Sequence, residues 1–229
     1  MAAHGSIERA KRVGTGICFV LFPLVWVFAF SVHPDLLVVR ILTPEELIVR
    51  AHGNDLLQFA HVLVTLLPAV LVVLTLHFMS LLARTSAAWA GLAGAILAVL
   101  GAVLLAADKG ALCLTMSAFD TLPEHEFKKM MPGILAMFSF KGWMVIVWGL
   151  LLMPIGVAIQ TIAMLKTKVL PRWQGGLFLF SLLFVGFPDG AEIINLSAAI
   201  IMAVALIPYG VRLMTTQSEN AGGNSQGDT

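Results

Sequence analysis

Long apolar stretches alternate with short polar ones along this chain, and six such stretches can be marked off. Near-continuous runs of Leu, Val, Ala, Ile and Phe cover about 13–31, 57–83, 87–107, 134–165, 173–187 and 191–214. Each reads as a membrane helix, since crossing the hydrocarbon core takes roughly 20 apolar residues. The fifth is short. It rises only about 22 Å at 1.5 Å per residue, against a core near 30 Å. The Phe187-Pro188-Asp189-Gly190 break that follows is therefore expected at membrane depth, where broken backbone is tolerated only beside a cavity or inside protein. The expected fold is all-α: a single polytopic helical bundle over 1–216, with about six spans. The polar, Gly-rich tail 217–229 is expected to be disordered and cytoplasmic.

Two connections on the side opposite the N-terminus, 32–56 and 108–133, are long enough to carry surface helices, although the third helix can equally continue through Asp108 and Lys109 to Phe119. The first contains Thr43-Pro44-Glu45-Glu46, which is a helix start: a capping hydroxyl, proline at the first position, and a glutamate three residues after the cap. A helix from Pro44 can run into the second apolar stretch, with Gly53 as its weak point. In the third stretch Ala90, Gly94, Ala98 and Ala102 recur every four residues, a small-residue ridge that lets another helix approach closely.

Composition supports the membrane reading. The chain is 59% hydrophobic and only 12% charged, with a mean hydropathy of +0.94, whereas soluble domains carry about 25% charge. A net charge of +1 without a dense basic run argues against nucleic acid as a partner. Arg9, Lys11, Arg12, Arg84, Lys166, Lys168, Arg172 and Arg212 fall on the N-terminal side, against Arg40, Arg50, Lys109, Lys128 and Lys129 opposite. By the positive-inside rule both termini face the cytoplasm, as in a bacterial inner-membrane protein. Cys18 and Cys113 lie on different apolar runs and read as buried thiols.

The acids are distributed unevenly. Asp35, Glu45, Glu46, Asp55, Asp108, Asp120, Glu124, Glu126, Asp189 and Glu192 lie on the side opposite the N-terminus, and only Glu8, Glu219 and Asp228 on the other. His33, His52, His61 and His125 share the acidic side. The candidate catalytic set is His61, Asp108, Lys141, Asp189 and Glu192, the carboxylates and imidazole for proton transfer and Lys141 for charge stabilisation. Gln58, Thr65 and Asn195 are candidate substrate-binding groups. Asn54, Gln58, His61, Thr65, Pro68 and Thr75 form a polar stripe on the second run, which must turn away from lipid. Asp189, Glu192 and Asn195 repeat every three residues and share a helix face, although Asp189 can equally cap the helix with Glu192 closing a capping box. Lys141 and Glu192 are expected to pair, because either charge alone in an apolar setting is costly.

Metal ligation is the weaker reading of His33-Pro34-Asp35, of His52 with Asp55, and of Glu124-His125-Glu126, none of which has metalloprotease spacing. Haem is disfavoured, since His61 and His77 lie about 24 Å apart on one helix and point to nearly opposite faces. No cofactor follows from the sequence. Three functions fit: an intramembrane enzyme acting on a lipid or other hydrophobic small molecule, a proton- or cation-coupled carrier, and a non-catalytic subunit docking a partner through its loops. A carrier needs a pathway to both faces, and the cytoplasmic half offers little beyond His77 and Gln160.

Overall fold

The computed structural model describes residues 2–34, 36–137, 143–185 and 191–216, with the side chains of 2–4, 137 and 143–150 left aside. All elements among these residues are helical: α1 (Ala2–Ser31), α2 (Pro44–Ala51), α3 (Asp55–Leu82), α4 (Ala88–Phe119), α5 (Glu124–Met137), α6 (Trp143–Lys166), α7 (Arg172–Phe184) and α8 (Glu192–Thr215). Four of them, α1 from Gly5 onward, α3, α4 and α8, are long and apolar enough to cross a membrane. The remaining two bundle helices are α6, apolar over Leu151–Lys166, and α7, which has 13 residues and rises about 20 Å.

These six helices close into a ring in which α1 packs on α3, α3 on α4, α4 on α6, α6 on α7, α7 on α8 and α8 back on α1, while α3 also touches α6. Large apolar side chains such as Leu66, Leu76, Leu100, Val103 and Val204 are exposed on the outside. Gln160, Thr161, Gln174, Ser181, Glu192 and Asn195 are buried inside. Apolar outside and polar inside is the arrangement that lipid demands, because a polar group costs least where another helix can answer it.

Two seams are drawn tight by glycine. A Cβ on Gly101 would fall on the backbone nitrogen of Met153, and one on Gly156 would fall on that of Ala98. One on Gly94 would lie 2.7 Å from the carbonyl oxygen of Gly156. The α4–α6 seam is therefore a backbone-to-backbone contact. Of the expected ridge, Gly94 and Ala98 lie in it, while Gly101 rather than Ala102 makes the closest approach. Gly16 and Gly210 do the same for α1 and α8, each Cβ position 2.7 Å from the other's carbonyl oxygen. Gln160 spans three helices, its Nε2 donating to the carbonyls of Thr75 at 3.1 Å and Gly91 at 3.0 Å.

The helices decide one point that the sequence left open. Of the two readings of the third apolar run, the longer one holds: α4 continues through Asp108 and Lys109 to Phe119. Two charges flanked by apolar residues fit a helix end as well as a helix interior. The fourth stretch, expected from 134, is described as the end of α5 up to Met137 and as α6 from Trp143, and the junction between them lies outside the described residues. The connections expected at 32–56 and 108–133 accordingly carry α2 and α5. A second apolar cluster of Ile48, Met116, Phe127 and Ile134 binds these two helices to the end of α4.

The start of α2 forms as its sequence implies. Thr43 Oγ1 accepts from the Glu46 amide at 3.3 Å, and the Glu46 carboxylate accepts from the Thr43 amide at 2.9 Å. Arg40 adds a bidentate pair to the same carboxylate. Its hydrogen bonds first, and the Thr43 amide second, hold the Glu46 carboxyl down to about 2. A carboxyl depressed in the folded state stabilises that state fully above its unfolded value of about 4.3 and progressively less as pH falls towards the folded value. Exchange protection of the α2 amides is thus expected to fall between pH 4 and pH 2 relative to α3. Unchanged relative protection across that window would contradict the assignment.

Helix α2 does not run into α3. It ends at Ala51, and Gly53 turns the chain at φ +68°. No neighbouring atom would crowd a Cβ on Gly53, so Gly53→Ala meets only the backbone penalty of the left-handed region, about 1–2 kcal/mol. A corresponding drop in thermal stability in detergent is expected, without loss of the helical signal.

Candidate functional site

The polar face of α3 begins at its cap, where Asn54 Oδ1 accepts from the Leu57 amide at 3.0 Å. One turn on, Gln58 and His61 open into a cavity of about 340 Å³ at the end of the bundle opposite the N-terminus. Its wall is mostly apolar, with Leu42, Leu47 and Ile48 from the α2 region, Leu57 and Val62 from α3, and Leu112, Leu114 and Met116 from α4. The polar groups on it are His33, Arg50, Gln58, His61, Lys109, Ser117 and Glu192, with the Cys113 thiol among them. Helix α2, backed by α5, forms its outer side. Within that cap His52 stacks on Phe127 at 3.7 Å between ring centroids. Its Nδ1 lies 2.7 Å from Asp120 Oδ1, an ion-pair distance without hydrogen-bond alignment. The same Asp120 oxygen accepts from the Gly53 amide at 3.0 Å. His52 is therefore tied to Asp120, not to Asp55.

The acid–base cluster gathers where α1 ends and α8 begins. His33 Nδ1 is 3.5 Å from Glu192 Oε1, and the two side chains are only 15% and 5% exposed. Asn195 Nδ2 donates to Glu192 Oε2 at 3.4 Å. The imidazoles of His33 and His61 meet edge to face, 5.6 Å between centroids. Glu192 is the first residue of α8, and the residue before it, Ala191, provides no side-chain cap. Among the described residues the carboxylate is met by His33 and Asn195. Each group is placed by its element: α8 sets Glu192 and Asn195 on one face, α3 supplies His61, and the turn after Ser31 brings His33 over both.

No family model, no curated protein and no solved structure matches this chain. The function has to be argued from the site itself.

Of the residues singled out in the sequence, Gln58, His61 and Glu192 line the cavity. Asn195 supports Glu192 from behind. Thr65 is turned to its own helix and to α4, donating to the His61 carbonyl at 3.0 Å and lying 3.5 Å from Cys113 Sγ. Asp108 sits on α4 beside Lys109, half-buried and off the cavity wall. Lys141 and Asp189, and with them the expected Lys141–Glu192 pair, lie outside the described residues, as does the tail 217–229. Three ionisable cavity residues stood outside the candidate catalytic and substrate-binding set: His33, named only in the weaker metal reading, Arg50 and Lys109. His33 had a usable signal, a histidine directly after an apolar run and on the acidic side. Arg50 and Lys109 had none, because nothing in the sequence says that α2 folds over α4.

Among the described residues no three His, Cys, Asp or Glu side chains converge as a metal site. His77, at the opposite end of the bundle, lies 2.8 Å from the Tyr209 hydroxyl through Nε2 and packs against Phe19. It joins α3 to α8 and α1.

Proposed function

We propose that the protein is a multi-pass membrane protein whose six bundle helices all span, with the termini cytoplasmic and the cavity at the outer face of a bacterial inner membrane. We further propose that the cavity is the site of an intramembrane enzyme acting on a lipid or another hydrophobic substrate. The observation that carries this reading is the meeting of a buried His33–Glu192–Asn195 array with an apolar wall in one cavity. An apolar pocket with a few convergent polar groups is the form that small-molecule sites take.

The division of labour follows from the geometry. His33, with Nδ1 3.5 Å from Glu192 Oε1, is the first proton-transfer group, and Glu192 orients the ring and offsets its charge when protonated. Asn195 fixes the carboxylate in turn. His61, within ring contact of His33, is the second proton-transfer group. Lys109 and Arg50 stand where an oxyanion can develop. Lys141 and Asp189 remain proposed members of the same cluster, and Asp108 a more distant one.

Transport is less well supported, because the half of the bundle nearer the termini is filled by Gln160, by the His77–Tyr209 contact and by the glycine seams. The test is turnover: purified protein is incubated with a bacterial lipid extract, and substrate loss and product gain are followed by mass spectrometry. His33→Ala and Glu192→Gln are expected to lower turnover by about 10²–10⁴, the usual contribution of a positioned acid or base. Turnover unchanged in both variants, or none in the unmodified protein, would remove the enzymatic reading.

A further inference from the structure

The charged wall of the cavity is lopsided. Arg50 and Lys109 share the wall with Glu192, the single carboxylate among the described lining residues, and Glu192 is already engaged by His33 and Asn195. Lys109 makes no ion pair or hydrogen bond among the described residues. Gln58 Nε2 is buried without a hydrogen-bond partner on the same wall. Among the described residues the site thus offers an amide donor without an acceptor and a cation whose charge is met only through space, by the adjacent Asp108 off the wall. A buried donor left unmatched is costly, and a ligand that supplies acceptors recovers that cost.

The cavity also has a side opening. Val62 of α3 and Leu114 of α4 line it and yet are 48% and 73% exposed, on the apolar outer surface that the bundle turns to lipid. A molecule can therefore arrive from the bilayer between α3 and α4. The volume of about 340 Å³ is at the small end of the roughly 300–1,000 Å³ typical of small-molecule sites. It suits a head group with part of one chain and is too small for a whole two-chain lipid.

We infer that the cavity takes the anionic head, carboxylate or phosphate, of an amphiphile whose chain leaves between Val62 and Leu114, with Lys109 and Gln58 holding the head. This rests on the hydrophobic-site reading above and adds the charge of the ligand and its route. Lys109, on the outer part of α4, is then the residue that sets specificity.

The test uses the full chain in neutral detergent and compares the binding of laurate, dodecanol and dodecyltrimethylammonium by native mass spectrometry and thermal shift. Laurate is expected to bind at least tenfold more tightly than either of the others. Lys109→Gln should remove that preference while leaving dodecanol within about twofold, and Lys109→Arg should restore it. Competition by phosphatidylglycerol in nanodiscs would identify the head as a lipid phosphate, and competition by free laurate alone would identify it as a carboxylate. Equal binding of all three amphiphiles, or laurate binding that survives Lys109→Gln, overturns the inference and leaves the hydrophobic site standing. Failure of every amphiphile to bind overturns both.

Discussion

Gly156→Leu is expected to prevent the bundle from assembling. The Cβ alone would fall on the Ala98 backbone nitrogen and lie 2.5 Å from the Gly94 carbonyl oxygen, and neither is the end of a side chain that can swing away. Overpacking a core normally costs about 1–3 kcal/mol because side chains absorb part of it. Here two helix backbones must separate, so the cost should reach or exceed the top of that range. Separation also breaks the Gln160 hydrogen bonds to Thr75 and Gly91, which tie α6 to α3 and α4. In lipid there is little hydrophobic force to push helices back together, and close packing with interhelical hydrogen bonds has to hold them. Gly176→Leu provides the control, since no atom lies within 4 Å of a Cβ there; a change within about 0.5 kcal/mol is expected. Monodispersity in detergent and resistance to denaturant distinguish the two variants, and equal behaviour would mean that α4 and α6 are not in backbone contact.

The second large effect is expected at Glu192. Replacing it with Met leaves His33 and Asn195 facing an apolar side chain, and breaking a buried pair by removing one partner costs about 3–5 kcal/mol. His33→Phe should cost less, because Asn195 still donates to the carboxylate. The double variant should recover part of the loss, giving a coupling energy of about 1 kcal/mol or more, as residues in one network do. Strict additivity in thermal or denaturant unfolding would show that the 3.5 Å approach of His33 and Glu192 has no energetic content.

What the sequence made legible was local or periodic. The capping box at Thr43 and Glu46 forms because both partners lie within one turn, and Gly53 breaks the helix where a left-handed residue is needed. The α3 stripe was readable since Gln58 and His61 are three residues apart, and the same holds for Glu192 and Asn195 on α8. The extension of α4 past Asp108 was left open by adjacent opposite charges, which fit a solvated helix end as well as the interior of a helix covered by α2 and α5. The contacts that close the cavity join distant segments. Gly53 and Asp120 are 67 positions apart, and the His33–Glu192 contact brings together the first and last long helices. No periodicity within one element reports such pairings, and the order of helices around the ring decides them.

The central claim is that a lipid-accessible cavity between α3 and α4 receives a hydrophobic ligand beside the His33–Glu192 cluster. Photolabelling with an acyl chain bearing a diazirine, followed by peptide mapping, tests it most directly. The account predicts adducts concentrated on 57–65 of α3 and 109–117 of α4, suppressed by excess unlabelled amphiphile and by Val62→Trp. Adducts spread evenly over the outward faces of α1, α4 and α8, insensitive to competitor and to Val62→Trp, would contradict it.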